Sequence, residues 1–568
     1  MTKRLAVSIL PALIVLALLA WVPSLEEGIP VISEEVIENC GSCHLSDEAG
    51  IMGRISYLRK TPEGWQRSLL RMVSLQGVQL DPEVARRIVR YLSNEHGLAP
   101  EELRPAFWEV ERRTVMNEAP NEIVRETCTA CHSVGRILTQ RRTKEEWTLL
   151  TEMHRGYYPL IDNQVYRNGE GSSADEPFPV EEALEYLVDA LPLATPEWAE
   201  WSTSSRPPRL AGNWILKGWE VGRGPVFGRV EILSIPGTED EFSTRASYTY
   251  AGEGRRVSRE GEVLIYTDYQ WRGSSQEVGG SAAEGSASNV GASGELREVM
   301  FVESDWSEVY GRWFAGAYDE LGLDIVLRRI GSDPLLAGVY PEAVRRGTRA
   351  TEIRIYGANL PQDMEVDDVD MGPGLEVTAL LGGDSESFGV RVSVDPEAPS
   401  GPRDLHLGHV TLSGALTVFD QVSRISVEPA MGMARIGGVN LPAQYERFEA
   451  VGYGAGPDGE TGTEDDLRLG LMDVSWGLEE YPVSFGDDDV QFVGDLDQNG
   501  VFTPAEDGPN PARTGDRNNI GDVWVTATYT PPGGDGPVLE ARGQLLVTVP
   551  LYLRWDLSGM IEDLGAER

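Results

Sequence analysis

Four cysteines occur in the 568 residues, and all of them fall in two matching motifs, Cys40-Gly-Ser-Cys43-His44 and Cys128-Thr-Ala-Cys131-His132. Two thiols at this spacing, followed at once by an imidazole, suit one chemistry best. The thiols add to the two vinyl groups of a haem, and the adjoining histidine reaches the iron from one side. A zinc or dithiol-redox C-x-x-C would not explain a histidine directly after both pairs. His44 and His132 are therefore expected to be the proximal ligands of two covalently bound c-type haems, with Cys40, Cys43, Cys128 and Cys131 as the attachment points.

A comparison of the two halves points to the distal ligands. TPEGWQRSLLRM (61–72) aligns without a gap to TKEEWTLLTEMH (143–154), placing Trp65 with Trp147 and Met72 with His154. Tyr91-Leu92 then corresponds to Tyr186-Leu187, the mark of an internal repeat. Met72 is expected on the first iron and His154 on the second. A thioether stabilises ferrous iron, so a His/Met haem sits at a higher potential than a His/His haem. Met153, beside His154, and Met52, after the first motif, are the rivals, and His96 in Ser-Asn-Glu-His-Gly reads as an exposed helix end. Trp65 and Trp147 read as core residues rather than haem-edge groups. Two six-coordinate irons suit electron transfer and oppose oxygen or peroxide chemistry. No catalytic triad or phosphate loop is present in the sequence.

The elements that must position these residues change character along the chain. Residues 28–203 read as a mainly helical dihaem cytochrome c domain. In 82–93, Val84, Ile88 and Leu92 share a face, and in 179–191 Ala183, Leu184, Leu187 and Leu191 repeat the pattern. Period-two alternation with aromatic and β-branched residues then takes over, at 228–235, 242–250 and 260–271. Residues 273–295 form a Gly/Ser/Ala-rich run that reads as a loop. The reading is multidomain, α then all-β: a β-barrel-like domain over 204–332 and two immunoglobulin-like β-sandwich domains over 333–425 and 426–568. Residues 1–27 read as a signal peptide, with Lys3 and Arg4 before a run from Leu5 to Val22 that is apolar apart from Ser8. An uncleaved membrane anchor is the alternative, and both place the bulk of the chain in the periplasm. The formal net charge of −42, with no basic stripe, excludes a nucleic-acid partner.

Asp495, Asp497, Asn499, the Val501 carbonyl and Glu506 match the spacing of a twelve-residue calcium loop, with Gly500 at the sharp turn. The flanks do not read as paired helices, and the competing account is an Asp/Asn/Gly turn between strands. Residues 456–508 carry 15 acidic side chains and one basic one, Arg468, read as a solvated face rather than a docking surface for a basic redox partner. His406 and His409 read as ordinary surface or packing residues.

The two C-x-x-C-H motifs, the Trp-centred repeat, and the segments YPEAVRRGTRATEIRIYGANLP and DLDQNGVFTPAEDGPNPARTGDRNNIGDVWVTATY carry a resemblance over essentially the whole mature chain. It resembles the α subunit of quinohemoprotein amine dehydrogenase. The resemblance implies a periplasmic heterotrimer that oxidatively deaminates primary amines. A β-propeller subunit and a small γ subunit bearing cysteine tryptophylquinone would be the partners. This chain would pass electrons from the quinone through its haems to a soluble copper protein or cytochrome c. It would have no catalytic residue of its own. With every cysteine committed to haem, no Trp–Cys quinone can form here. Two other readings compete: a stand-alone dihaem peroxidase-like enzyme, and an exported haem protein whose β domains bind a surface.

Overall fold

The computed structural model describes residues 27–106, 120–129, 132–158, 161, 178–204, 206–279, 294–316, 321–438, 442–482, 488–534 and 536–549. The leader and Cys131 lie outside them. The helical unit runs α1 (Glu34–Cys40), α2 (Pro62–Gln76), α3 (Pro82–Glu95), α4 (Pro100–Leu103), α5 (Glu122–Cys128), α6 (Gly135–Leu138), α7 (Lys144–Tyr157), α8 (Pro179–Ala190) and α9 (Pro196–Ser204). Each haem motif begins on the last residue of a short capped helix. Ser33 accepts from the Val36 amide at the start of α1, and Asn121 accepts from the Val124 amide at the start of α5. The α3 and α8 faces expected to be apolar are turned inward. Ile88 and Leu92 are buried on one, and Ala183 and Leu187 on the other.

The two halves are joined by a two-stranded antiparallel ribbon, β1 (Leu58–Lys60) and β2 (Gln140–Arg142), in the register Leu58 to Arg142, Arg59 to Arg141 and Lys60 to Gln140. Each strand runs directly into a Thr N-cap. Thr61 accepts from the Gly64 amide to start α2, and Thr143 accepts from the Glu146 amide to start α7. Side chains alternate across the ribbon, so Arg59 and Arg141 share one face. There both meet Glu102, at 2.6 Å and 3.2 Å. Glu102 also accepts from the Ala99 amide at 2.8 Å and the Thr195 hydroxyl at 2.7 Å. Arg59 is wholly buried. Burial alone would raise the Glu102 carboxyl, but Arg59, by charge and hydrogen bonds, and then Arg141 hold it at about 2.

Behind the helical unit stands a closed eight-stranded antiparallel barrel. Its strands are β3 (Gly212–Glu220), β4 (Gly224–Ser234), β5 (Glu241–Tyr250), β6 (Arg256–Tyr266), β7 (Gln270–Glu277), β8 (Glu295–Val302), β9 (Glu308–Ala315) and β10 (Leu321–Arg329), closed by β10 pairing with β3. The segment 260–271, expected as one strand, is broken. Thr267 and Asp268 adopt positive φ (53° and 63°) and turn the chain from β6 into β7. The run expected as loop from 273 is strand as far as Glu277, and residues 280–293 lie outside the described set. Trp214, Trp271 and Trp313 fill the barrel interior, their indole N–H groups bound to the Leu210 carbonyl, the Glu298 carboxylate and the Met300 sulfur. Leu98 and Leu103, from the chain between α3 and the ribbon's second strand, are buried in the same cluster. A Cβ on Gly97 would lie 2.6 Å from the Thr267 side chain, so only glycine lets the end of α3 approach this closely. Arg272–Glu63 and Arg90–Glu241 ion pairs, the latter at 2.7 Å, fasten the same junction.

Beyond the barrel, four strands (Leu335–Tyr340, Thr351–Ala358, Ser387–Val394, Leu375–Gly383) and four more (Ala343–Arg345, Val410–Phe419, Gly401–Leu407, Val369–Asp370) close over one core as a sandwich. The last unit holds two three-stranded sheets and one four-stranded sheet around Phe448, Phe502, Val525 and Leu545. The order expected from the sequence, helical unit, barrel, then further β domains, is the order observed.

Removing the shared carboxylate tests the ribbon. Glu102→Ala leaves Arg59 and Arg141 buried beside no anion and is expected to cost about 3–5 kcal/mol in denaturant unfolding. The wild-type carboxyl is depressed in the fold, so its contribution is complete above the ordinary carboxyl range near pH 4.5 and is lost as pH falls toward about 2. The variant is expected to lose that acid-side slope.

Candidate haem-binding site

Cys40 closes α1, and the amides of Cys43 and His44 both donate to its carbonyl, at 3.2 Å and 2.9 Å. The first motif is thus a tight turn at the end of α1. Cys40, Cys43 and Cys128 form no disulfide. Burial, and then the neighbouring Cys43, push the Cys40 thiol up, and burial pushes Cys128 up to about 12. A dithiol redox motif needs the opposite, a thiol depressed toward neutrality. The buried Cys40 and Cys128 thiols are thus unlike the reactive thiolate of a dithiol redox motif.

The histidines share one arrangement. His44 Nδ1 lies 2.9 Å from the Gly53 carbonyl, His132 Nδ1 3.0 Å from the Ser133 carbonyl, and His154 Nδ1 2.8 Å from the Leu150 carbonyl. A carbonyl only accepts, so in each case Nδ1 carries the proton and Nε2 is left as the lone-pair nitrogen. That is the arrangement a metal-ligating histidine needs, with its other nitrogen fixed by a backbone acceptor. Burial first, then Arg136, lowers His132 to about 3, with His154 adding to the effect. His154 is lowered as well, by burial and then, against the Leu150 carbonyl, by Arg71 and Arg142. Both imidazoles are therefore neutral at physiological pH and able to bind iron.

The distal candidates lie on corresponding helices of the two halves. Trp65, Leu69 and Met72 form one stripe of α2, and Trp65 and Leu69 belong to the apolar cluster that includes Cys40. Trp147, Leu150 and His154 form the matching stripe of α7, in the cluster that includes Cys128. Met72 and His154 are both half-buried. His132 and His154 interact electrostatically and so share one locality. No described contact links Met72 to His44, and its placement rests on the stripe. Met52 is wholly buried, in the apolar cluster with Val31, Val36, Ile55 and Trp65. Met153 lies on α7 beside His154, half-buried, off the Trp147 stripe.

His96 corrects the expectation of an exposed helix end. It caps α3 but is wholly buried, against Trp65 and Tyr91. Its carbonyl accepts from the Trp65 indole at 3.0 Å and the Lys60 amide at 3.0 Å. Leu191 holds the equivalent place in the second half, accepting from the Trp147 indole at 3.1 Å. Burial lowers His96 to about 4, so it stays neutral in the core. The tryptophans are core residues as expected, 3% and 2% exposed, each tying its helix to the end of the next long helix of its half.

The Asp-rich segment forms a hairpin between Gly494–Leu496 and Val501–Pro504. Asp497 accepts from the amides of Asn499 (2.8 Å) and Val501 (2.9 Å), and the Val501 carbonyl accepts from the Asp497 amide. Asp495 sits in the strand opposite Thr503, and the Glu506 carbonyl takes the Asn519 side chain. The turn's own hydrogen bonds account for Asp497, Asn499 and Gly500. Among the described residues no three His, Cys, Asp or Glu side chains are grouped to hold a metal ion. His406 lies in a strand with Nδ1 2.8 Å from the Thr411 hydroxyl, and His409 is exposed at the adjoining turn.

Sequence reasoning passed over Lys60 and Arg142. They occupy corresponding positions in the repeat, one residue before Thr61 and Thr143, and each stacks on its own tryptophan, at 5.2 Å and 5.5 Å. Extending the aligned repeat by two residues toward the N-terminus would have exposed the pairs Arg59-Lys60 and Arg141-Arg142.

Four family profiles match this chain. They are quinohemoprotein amine dehydrogenase A, alpha subunit, haem binding, over residues 31–170, and quinohemoprotein amine dehydrogenase alpha subunit domains II, III and IV over 207–330, 333–420 and 425–559. No curated protein matches. Among solved structures the chain is similar to a redesigned beta barrel, at 16% identity over 22% of this chain and 92% of that one with a TM-score of 0.17. It is also similar to human mucin-like protocadherin EC1-2, at 13% identity over 39% and 98% with a TM-score of 0.15. At those TM-scores neither likeness bears on the fold. The chain belongs to the alpha-subunit family of quinohemoprotein amine dehydrogenases, with a haem-binding N-terminal domain followed by domains II, III and IV.

Proposed function

We propose that this chain is the dihaem c electron-transfer subunit of a periplasmic amine dehydrogenase. It would take electrons from a quinone on a small partner subunit, beside a β-propeller subunit, and pass them to a soluble copper protein or cytochrome c. The observation that carries the reading is the duplicated unit. The first cysteine of each C-x-x-C-H motif, Cys40 or Cys128, is packed in one cluster with a Trp-bearing helix whose face ends on a donor side chain, Met72 or His154. When bound, haem supplies reversible one-electron chemistry at iron. Cys40, Cys43, Cys128 and Cys131 would hold the two groups covalently. His44 and His132 would present Nε2 to the irons, each oriented by the backbone carbonyl on Nδ1. A thioether from Met72 and an imidazole from His154 would set unequal potentials in the two halves. The barrel, packed full with tryptophan, serves as scaffold rather than as a container for a small substrate. The leader would export the chain.

The decisive experiment uses the native complex, purified through this chain and oxidised. Adding a primary amine without oxygen is expected to bring up reduced c-type bands in step with aldehyde release. Haems that stay oxidised with amine but reduce with dithionite, in a preparation retaining every co-purifying subunit, would overturn the amine dehydrogenase reading. The distal ligands are tested separately. Met72→Ala and His154→Ala are each expected to convert one haem, and only one, to a high-spin spectrum. A variant that leaves both haems low-spin removes that residue from the ligand set.

A further inference from the structure

The ribbon has a second face. Arg59 and Arg141 point one way and share Glu102, while Lys60 and Arg142 lie on the opposite face. Both are buried, each 4% exposed. Lys60 Nζ donates to the Ser68 hydroxyl at 2.7 Å, and Arg71 of α2 reaches the same oxygen at 3.4 Å. Arg142 donates Nε to the neutral Gln140 side chain at 2.8 Å and has Glu146 at 3.6 Å, a carboxylate that Arg54 also takes at 2.5 Å. The two buried cations of this face, Lys60 and Arg142, with the half-buried Arg71 beside them, thus meet one carboxylate among the described residues, and the half-exposed Arg54 shares it. Buried cations in excess of their counter-ions are costly unless an anion joins them. Burial first, then Arg142 and Arg71, push Lys60 well below its ordinary value, and burial lowers Arg142 to about 9 despite Glu146. The fold therefore holds a site built for negative charge.

Its position says which charge. Lys60 leads through Thr61 into the helix that carries Met72, and Arg142 leads through Thr143 into the helix that carries His154. The two cations stand at the same spacing as Trp65 and Trp147, so each half of the repeat contributes one. Arg71 and Arg142 also act electrostatically on His154, which places the cluster beside the second site. We propose that the Lys60–Arg142 face of the ribbon, with Arg71, is the shared seat for haem propionates, so that one two-stranded element neutralises the carboxylates of both haems. Arg142 is suited to a bidentate carboxylate pair, and Lys60 to a single charged hydrogen bond. This deepens the dihaem reading and rests on it.

The test uses the whole complex carrying Lys60→Met, Arg142→Met or Arg71→Gln, beside the charge-keeping Lys60→Arg and Arg142→Lys. Two readouts are taken: the propionate-bending bands in the resonance Raman spectrum, and the midpoint potential of each haem by anaerobic spectroelectrochemistry. Loss of a cation that pairs with a propionate is expected to shift those bands and lower at least one potential, because uncompensated negative charge favours ferric iron. The charge-keeping variants should restore both toward wild type. Lowered potentials with unmoved propionate bands would show a nearby charge without contact and overturn the proposal, as would no change in either. Arg71→Gln, whose side chain is only half-buried, keeps the test open should the ribbon variants fail to assemble. Haem content read first, as the pyridine haemochrome retained after acid-acetone extraction, separates the two failures. A wild-type chain without covalent haem overturns the dihaem reading itself. Two retained haems with unmoved bands overturn only the propionate seat.

Discussion

One buried carboxylate holds the helical unit together. Glu102 receives Arg59 from the first strand of the ribbon and Arg141 from the second, so the two halves of the repeat are tied through a single anion. Arg59 continues outward, donating to the Leu193 carbonyl at 2.7 Å and the Gly97 carbonyl at 3.2 Å. The same cluster therefore fixes the end of α3, the chain following α8 and, through Leu98 and Leu103, the core of the barrel. A ribbon of three residues per strand has too few hydrogen bonds to persist alone. It persists because its charges are satisfied on the Glu102 side and its strands feed directly into capped helices.

From that tie the site geometry follows. The start of α2 is set by Thr61 and the start of α7 by Thr143, one residue beyond the ribbon. Each tryptophan then locks its helix by an indole hydrogen bond to the end of the next long helix of its half, at His96 or Leu191. Met72 and His154 stand two turns further on, so their positions are determined by the ribbon's register. The backbone carbonyls on Nδ1 of His44, His132 and His154 add the last constraint, on ring orientation. Each imidazole is thereby fixed in orientation by a backbone acceptor, with Nε2 left as the lone-pair nitrogen.

Much of this was legible in the sequence, because covalent and periodic signals are local. The C-x-x-C-H motifs, the Trp-centred repeat and the alternating strands each need only a few neighbouring residues to be read. What escaped depends on partners far along the chain. His96 looked exposed beside Glu95 and Gly97, yet Trp65 and Tyr91 enclose it. Thr267 and Asp268 carry no glycine to announce a turn, and the barrel's closure imposes one on them. Glu102 is ordinary in sequence and acquires its role only when strands separated by the first helices are brought together. The calcium-like spacing stays double in meaning, since a hairpin turn requires the same Asp, Asn and Gly for backbone reasons, and here Asp497 accepts from the Asn499 and Val501 amides.

The distribution of charge ties these points together. The acidic stretch 456–508 reads as a uniform negative face, but Arg424 takes Asp466 at 2.8 Å, and Arg513 and Arg517 take Asp488 at 2.9 Å and 2.7 Å. Part of that acid is consumed within the last domain by arginines lying outside the stretch, which leaves less of it to attract a basic partner. The helical unit does the opposite. It gathers cations inward, and on the Arg59–Arg141 face of the ribbon the Glu102 carboxylate lies against both arginines, at 2.6 Å and 3.2 Å. The two faces differ by a single residue of register, since Arg59 and Lys60 are neighbours, as are Arg141 and Arg142. A ribbon with one face closed on Glu102 and one cation-rich face is anchored on the first, and the second is the face proposed for haem carboxylates. The same short element can therefore fix the relative placement of the two halves and neutralise what they bind.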